Sequence, residues 1–183
     1  MLASFFKKNG SMITKLIVNQ LGLAIFGFSV TIAVTMYVGG LEESQGNMYL
    51  SLVSGFSVLF YMFLLFVATN DAGASDKIRV DAGRMERDNL LGLKWALCAN
   101  SLNYLLAVII TVAHFTGLDN VEGVLAPITV IIQAPFMGLR SVFMPNNPLA
   151  YFIMPLVPTL TCTVGYILGL KGFLFIPEKK KRQ

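Results

Sequence analysis

The sequence predicts an all-α, polytopic integral membrane protein that folds as one helix bundle over residues 1–183. Composition is the first indication: 55% of the 183 residues are hydrophobic and 13% are charged, whereas soluble domains usually carry about 25% charged residues. Length is the second, because several apolar runs reach the ~20 residues that a helix needs to cross a bilayer. Charge distribution is the third, since thirteen of the fourteen basic residues fall into three clusters between apolar runs.

The basic clusters predict which side of the membrane each connection occupies. They lie within 7–15, 77–94 and 171–182. Short connections rich in Lys and Arg stay in the cytoplasm. We therefore expect a plasma membrane protein with both termini, the loop 70–94 and the basic tail 171–183 in the cytoplasm. The connections expected outside lack basic clusters and carry acidic residues instead: Glu42, Glu43, Asp119 and Glu122.

Four apolar segments are predicted to cross the membrane. Their central portions contain no Asp, Glu, Lys or Arg. Tyr or Trp stands near several of their ends, as in the aromatic belts at membrane interfaces. The four crossings are expected at roughly 16–38, 48–69, 93–116 and 149–170.

A fifth apolar segment, 123–143, is about long enough to cross but is predicted not to. Pro127 and Pro135 interrupt it, and each removes a backbone donor. A crossing here would leave nine basic residues inside and five outside, whereas its absence leaves thirteen inside and one outside. We therefore expect a re-entrant segment, or one that lies along the outer interface. The alternative is a fifth crossing by a proline-kinked helix.

The predicted cytoplasmic loop contains a short repeat, because Asp-Ala-Gly occurs at 71–73 and again at 81–83. Asp followed closely by Gly favours a turn, and the charged and apolar alternation at 77–80 is typical of a short strand or extended segment. We interpret the loop as a solvated, self-neutralised connector; a docking surface for a cytoplasmic partner and a divalent-cation site are the alternatives. The candidate docking residues are Asp71, Asp76, Arg79, Asp81, Arg84, Glu86 and Arg87.

Polar and small residues inside the apolar segments predict how the helices face one another. Asn100 and Asn103 are three residues apart and share a helix face, which should turn inward because an unsatisfied amide in hydrocarbon costs several kcal/mol. With Gln133 they are predicted to line the interior of the bundle, either as packing contacts or along the path of a polar solute. Gly165 and Gly169 have the spacing that lets two helix backbones approach closely.

The charged tail predicts contact with the membrane surface rather than with nucleic acid. Each basic residue near anionic lipid headgroups contributes roughly 1 kcal/mol; a solvated topology anchor without a partner is the simpler interpretation and the one that the same charge rule favours. The loop's five basic residues are matched by five acidic ones, so no nucleic-acid partner is expected. The residues predicted to contact headgroups are Lys179, Lys180, Lys181 and Arg182.

The sequence contains no recognisable catalytic motif, so we expect a non-catalytic protein without a cofactor or metal ion. The lack of charged residues at the centres of the spans argues against ion or proton coupling. The leading hypothesis is a subunit or partner-binding component of a membrane complex, joined to another membrane or cytoplasmic protein or to a second copy. The alternative is a transporter or channel-like component for a small neutral solute.

Overall fold

The computed structural model describes residues 2–145 and 147–175, and this part of the chain is helical, without strands. The two longest helices are α1, with 37 residues, and α2, with 39. At 1.5 Å per residue they are roughly 56 and 58 Å long, well beyond the ~30 Å hydrocarbon core of a bilayer. The helices are α1 (Leu2–Val38), α2 (Glu43–Asp81), α3 (Leu91–Ala99), α4 (Ser101–Thr116), α5 (Asp119–Ile132), α6 (Met137–Phe143) and α7 (Ala150–Leu170).

Three of the described helices, α1, α2 and α7, are each long and apolar enough to cross a membrane. Two further candidates are bent pairs. The α3–α4 pair bends by 58° at Asn100, and the α5–α6 pair bends by 90° at the short 3₁₀ turn Ala134–Phe136. The described chain therefore has three to five candidate membrane-spanning elements.

The first half of the segment expected to be a loop is helical, because α2 continues without interruption to Asp81. The turn predicted at 71–73 and the extended segment predicted at 77–80 are therefore wrong. The reason is tertiary contact: a Cβ atom at Gly73 would collide with the backbone carbonyl of Tyr166 on α7. The helix backbones touch here, and this packing outweighs the local turn preference of Asp followed by Gly.

The second copy of the Asp-Ala-Gly repeat does form a turn, and it ends α2. Gly83 has φ +68°, the left-handed conformation that glycine adopts without steric cost. The amide of Arg84 donates to the carbonyl of Arg79 at 2.9 Å, and the amide of Gly83 donates to that of Val80 at 2.9 Å. This pair of bonds is the Schellman helix ending. The same tripeptide is thus helical inside α2 and a cap at its end.

Helix α7 forms its closest contacts with α2, and the two helices run parallel. A Cβ atom at Gly169 would collide with the carbonyl of Asn70 and lie 2.8 Å from the amide nitrogen of Ala74. A Cβ atom at Gly165 would collide with Thr69 Oγ1. Gly165 and Gly169 on α7 thus lie where the two backbones meet. Because they have no side chains, the helices can pack closely along this interface.

The helix ends divide the molecule into two ends of opposite charge. Trp95 on α3 bonds to Asn9 on α1 and packs against Tyr166 on α7, which bonds to Asp76 on α2. The start of α1, the end of α2, the start of α3 and the end of α7 therefore meet. We call this the basic end, because it carries Lys8, Lys15, Lys77, Arg79, Lys94 and Lys171. The acidic end holds the α1–α2 and α4–α5 connections with Glu42, Glu43, Asp119 and Glu122.

The break after α5 lies deep between α1 and α2. Ser54 Oγ donates to the carbonyl of Pro135 at 2.6 Å, and a Cβ atom at Gly27 would lie 2.7 Å from the Pro135 nitrogen. Gly27 and Ser54 are each eleven residues from the helix ends that form the α1–α2 connection, which places the break roughly 16 Å below the acidic end. Pro127, by contrast, lies within α5 and does not end it.

Candidate functional site

Three buried amide side chains meet at the centre of the bundle. Asn100, Asn103 and Gln133 are 4%, 3% and 6% exposed. They line one cavity of about 10 Å³, which is room for about one water molecule. The sequence-predicted polar lining residues therefore lie together in space, although Gln133 is 30 residues from Asn103 along the chain.

Other helices complete the wall of this central cavity. Gln20 comes from α1, Tyr61 from α2, and Met154, Pro155 and Pro158 from α7. Gln20 was not predicted to line the bundle, although a glutamine inside the apolar run 16–38 was a usable signal. Tyr61 carried no comparable signal, because it is an aromatic residue within an apolar run. No Asp, Glu, Lys, Arg or His is among the described residues that line the cavity.

The cavity lies where helical elements are interrupted. α3 and α4 meet at Asn100, and α5 ends at Ile132, so that Gln133 lies between it and the 3₁₀ turn. α7 contains Pro155 and Pro158, which cannot donate backbone hydrogen bonds. Interrupted backbone at membrane depth is tolerated where protein groups or a cavity satisfy it. The helix interruptions therefore lie beside the polar side chains and the cavity because their backbone groups need hydrogen-bond partners there.

Two amide oxygens at this site have no hydrogen-bond partner among the described residues: Asn103 Oδ1 and Gln133 Oε1. Their amide nitrogens are bonded, since Asn103 Nδ2 donates to Asn100 Oδ1 at 3.3 Å and Gln133 Nε2 donates to the carbonyl of Tyr151 at 3.2 Å. A buried acceptor without a partner costs about 1–3 kcal/mol. The two oxygens therefore favour a ligand that can donate hydrogen bonds.

Polar contacts continue from the cavity toward α7 and α6. Tyr104 and Thr159 share a hydrogen bond of 3.1 Å between their hydroxyl groups, which joins α4 to α7. The guanidinium carbon of Arg140 lies 4.0 Å from the centre of the Tyr151 ring, a cation–π distance. Arg140, the basic residue that belongs to no cluster, therefore packs against Tyr151, whose carbonyl accepts the hydrogen bond from Gln133.

The predicted docking residues divide into exposed and buried groups. Asp76 is 6% exposed; its carboxylate accepts a hydrogen bond from Tyr166 at 3.1 Å and lies 3.3 Å from Arg79 Nη1. Asp76 is thus part of the packing between α2 and α7. The tail residues Lys179, Lys180, Lys181 and Arg182 lie outside the described residues. The exposed members of the predicted docking set are Asp71, Arg79, Asp81, Arg84, Glu86 and Arg87.

Comparison with protein-family models, with curated proteins and with solved structures finds no match for this chain. The central cavity offers amide and hydroxyl groups, which can donate and accept hydrogen bonds. His114, the single histidine, lies away from it at the acidic end, where its Nδ1 is 3.1 Å from a Glu122 oxygen. What the central site can do is hold a small, uncharged, hydrogen-bonding molecule.

Proposed function

We propose that this protein is a non-catalytic component of a membrane transport or channel system for a small neutral solute. The proposal depends on one observation: Asn103 and Gln133, whose amide oxygens have no hydrogen-bond partner among the described residues, line an uncharged cavity where helices are interrupted. Transporters commonly bind their substrates near the membrane midplane, between discontinuous helices. The solute would donate hydrogen bonds to these two oxygens as it passes.

The proposed topology is four crossings of the plasma membrane with both termini in the cytoplasm. Its support is the gathering of basic residues at one end, because basic connections stay inside. The depth of the break at Pro135 adds support: α5 enters from the acidic end and stops midway, and α7 begins beside Gln133 and continues to the basic end. In this arrangement the segment 123–143 enters from the acidic end without crossing by itself, and α7 completes the fourth crossing.

The chemistry of the lining restricts the solute to a neutral one. An ion would have to leave water for a cavity without an opposite charge, and burying an unpaired charge is very costly. The volume of about 10 Å³ fits a water-sized group, so a larger solute requires the walls to separate. The interruptions at Asn100 and at Pro135 are the places where α4 and α5 can move with least loss of helical hydrogen bonding.

The test is solute flux through liposomes that contain the purified full-length protein. Light scattering after osmotic shock would follow the permeation of water, urea and glycerol. We expect faster permeation of at least one of these than in protein-free liposomes, and a loss of about tenfold or more in Asn103→Leu and in Gln133→Leu. Ser101→Leu is the matched control, because Ser101 is exposed on the same helix as Asn103.

Two results would reject the proposal in different ways. Equal flux in Asn103→Leu, Gln133→Leu and the Ser101→Leu control would show that the central cavity is not the path. Permeation no faster than in protein-free liposomes would show that the protein does not transport these solutes by itself. The second result would favour the other candidate function, a subunit of a larger complex.

The exposed charges beyond the apolar part of α2 favour that second candidate. Asp71 and Asp81 are exposed on α2, and Arg84 and Arg87 follow it. A partner-binding component would use this surface. Purification from native membranes in mild detergent, followed by mass spectrometry, would then recover a stoichiometric partner. The partner should be lost from the charge-reversed double variant Arg84→Glu/Arg87→Glu and kept by a Lys7→Glu/Lys171→Glu control.

A further inference from the structure

A second and larger cavity, of about 400 Å³, opens at the basic end of the molecule between α1, α2 and α3. Three basic side chains line it: Lys8 and Lys15 from α1, and Arg79 from α2. Lys8 and Lys15 are seven residues apart, or about two helical turns, so they project from the same face of α1. The cavity was not predicted, because its charged residues come from two distant parts of the chain, α1 and α2.

The charge of this basic cavity is positive overall. Asp76 is the one acidic residue in its lining, so three cations face one carboxylate. Arg79 lies 3.3 Å from Asp76, and its side chain remains 61% exposed. Among the described residues, neither Lys8 nor Lys15 has a carboxylate within ion-pair distance. Two positive charges therefore remain for an anionic ligand.

The remaining lining of the basic cavity is mixed: Asn9, Ser11 and Ser75 are polar, and the other side chains are apolar. Met12, Ala72, Met85 and Leu91 contribute apolar surface beside the basic side chains. Trp95 forms part of the wall, is 4% exposed, and donates from Nε1 to Asn9 Oδ1 at 2.9 Å. A free phosphate ion would use only the charged part of such a cavity. A ligand with both a phosphate and an apolar portion fits the whole.

The position along the helices matches the headgroup region of a membrane. Lys15 immediately precedes the apolar run of α1, and Trp95 has the aromatic character found at membrane interfaces. Basic pockets between helices on the cytoplasmic side are suited to anionic lipid headgroups. We propose that this cavity binds the phosphate of an anionic phospholipid from the cytoplasmic leaflet, with Lys8, Lys15 and Arg79 as its contacts. The proposal does not depend on solute transport.

Trp95 provides a direct test, because it is the single tryptophan of the chain and lines the cavity. The full-length protein in neutral detergent would be titrated with dihexanoyl-phosphatidylglycerol, dihexanoyl-phosphatidylcholine or inorganic phosphate while tryptophan emission is recorded. We expect a saturable change with phosphatidylglycerol and weaker responses to the other two. Native mass spectrometry would count the lipid molecules that remain bound.

Matched charge variants separate this cavity from a general attraction to basic protein. Lys8→Gln/Lys15→Gln should weaken phosphatidylglycerol binding by roughly tenfold or more, because both lysine charges that face the headgroup are removed. Lys7→Gln/Lys171→Gln removes the same charge from exposed residues outside the cavity and should leave the affinity unchanged. Equal losses in the two double variants, or an equal response to phosphatidylcholine, would overturn the proposal. Saturation by inorganic phosphate as tight as that by phosphatidylglycerol would reject the lipid as the source of the phosphate.

Discussion

The side-chain amide of Gln133 donates a hydrogen bond to the carbonyl of Tyr151, 3.2 Å away. In an unbroken helix that carbonyl would accept from the amide four residues later, but the residue there is Pro155, which has no amide hydrogen. The end of α5 therefore supplies the donor that α7 lacks. This bond couples the break in the 123–143 segment to the proline-containing part of the last helix.

The first prediction concerns this coupling. Gln133→Leu removes the donor and leaves the Tyr151 carbonyl without its partner, so we expect the protein to lose about 1–2 kcal/mol of stability. Unfolding in mixed detergent micelles, followed by circular dichroism, would measure the difference. The control is the Pro155→Ala background, in which the backbone can again donate to Tyr151. There the Gln133→Leu change should cost less, and an identical cost in both backgrounds would show that the bond is not responsible.

The second prediction concerns the contact between α2 and α7. Gly169→Ala places a Cβ atom against the Asn70 carbonyl and 2.8 Å from the Ala74 nitrogen. Because both obstacles are backbone, the helices must separate, at a cost of about 1–3 kcal/mol. Gly55→Ala is the control: nothing lies within 4 Å of a Cβ atom there, and alanine is a better helix former by about 0.5–1 kcal/mol. Thermal unfolding should therefore rank Gly55→Ala at or above the native protein and Gly169→Ala below it.

The third prediction concerns topology. Single cysteines at positions 42, 84 and 171 would be introduced into a variant with alanine at Cys98 and Cys162, the two native cysteines. A membrane-impermeant maleimide should label Glu42→Cys in intact cells. It should label Arg84→Cys and Lys171→Cys only after the membrane is opened, because both lie at the basic end. Labelling of Lys171→Cys in intact cells would instead support a fifth crossing by the 123–143 segment.

The sequence was sufficient for features that depend on local spacing. Asn100 and Asn103 share a helix face because they are three residues apart, and both are buried. Spacing was insufficient where distant parts of the chain decide the structure. The Asp-Ala-Gly repeat has identical local preferences in its two copies, yet Gly73 packs against α7 and stays helical while Gly83 meets nothing within 4 Å and forms the cap.

The two prolines of the 123–143 segment show the same limit. Both remove a backbone donor, but Pro127 lies within α5, whereas Pro135 lies at the break. The difference comes from contacts with Ser54 and Gly27, which hold Pro135 between α2 and α1. The basic cavity could not be predicted from the sequence either. Its wall depends on the bond between Asn9 and Trp95, which are 86 residues apart.

The last prediction concerns that bond at the basic end. Asn9→Ala leaves the buried Nε1 of Trp95 without its acceptor, and we expect a loss of about 1–2 kcal/mol in stability. Asn19→Ala is the matched control on the same helix, since the structure gives Asn19 no side-chain hydrogen bond among the described residues. Unfolding followed by Trp95 fluorescence would measure both variants. Because the bond also fixes the cavity wall, Asn9→Ala should weaken phosphatidylglycerol binding as well. If the variant is as stable as the native protein and its lipid affinity is unchanged, α1 and α3 are held together by apolar packing alone.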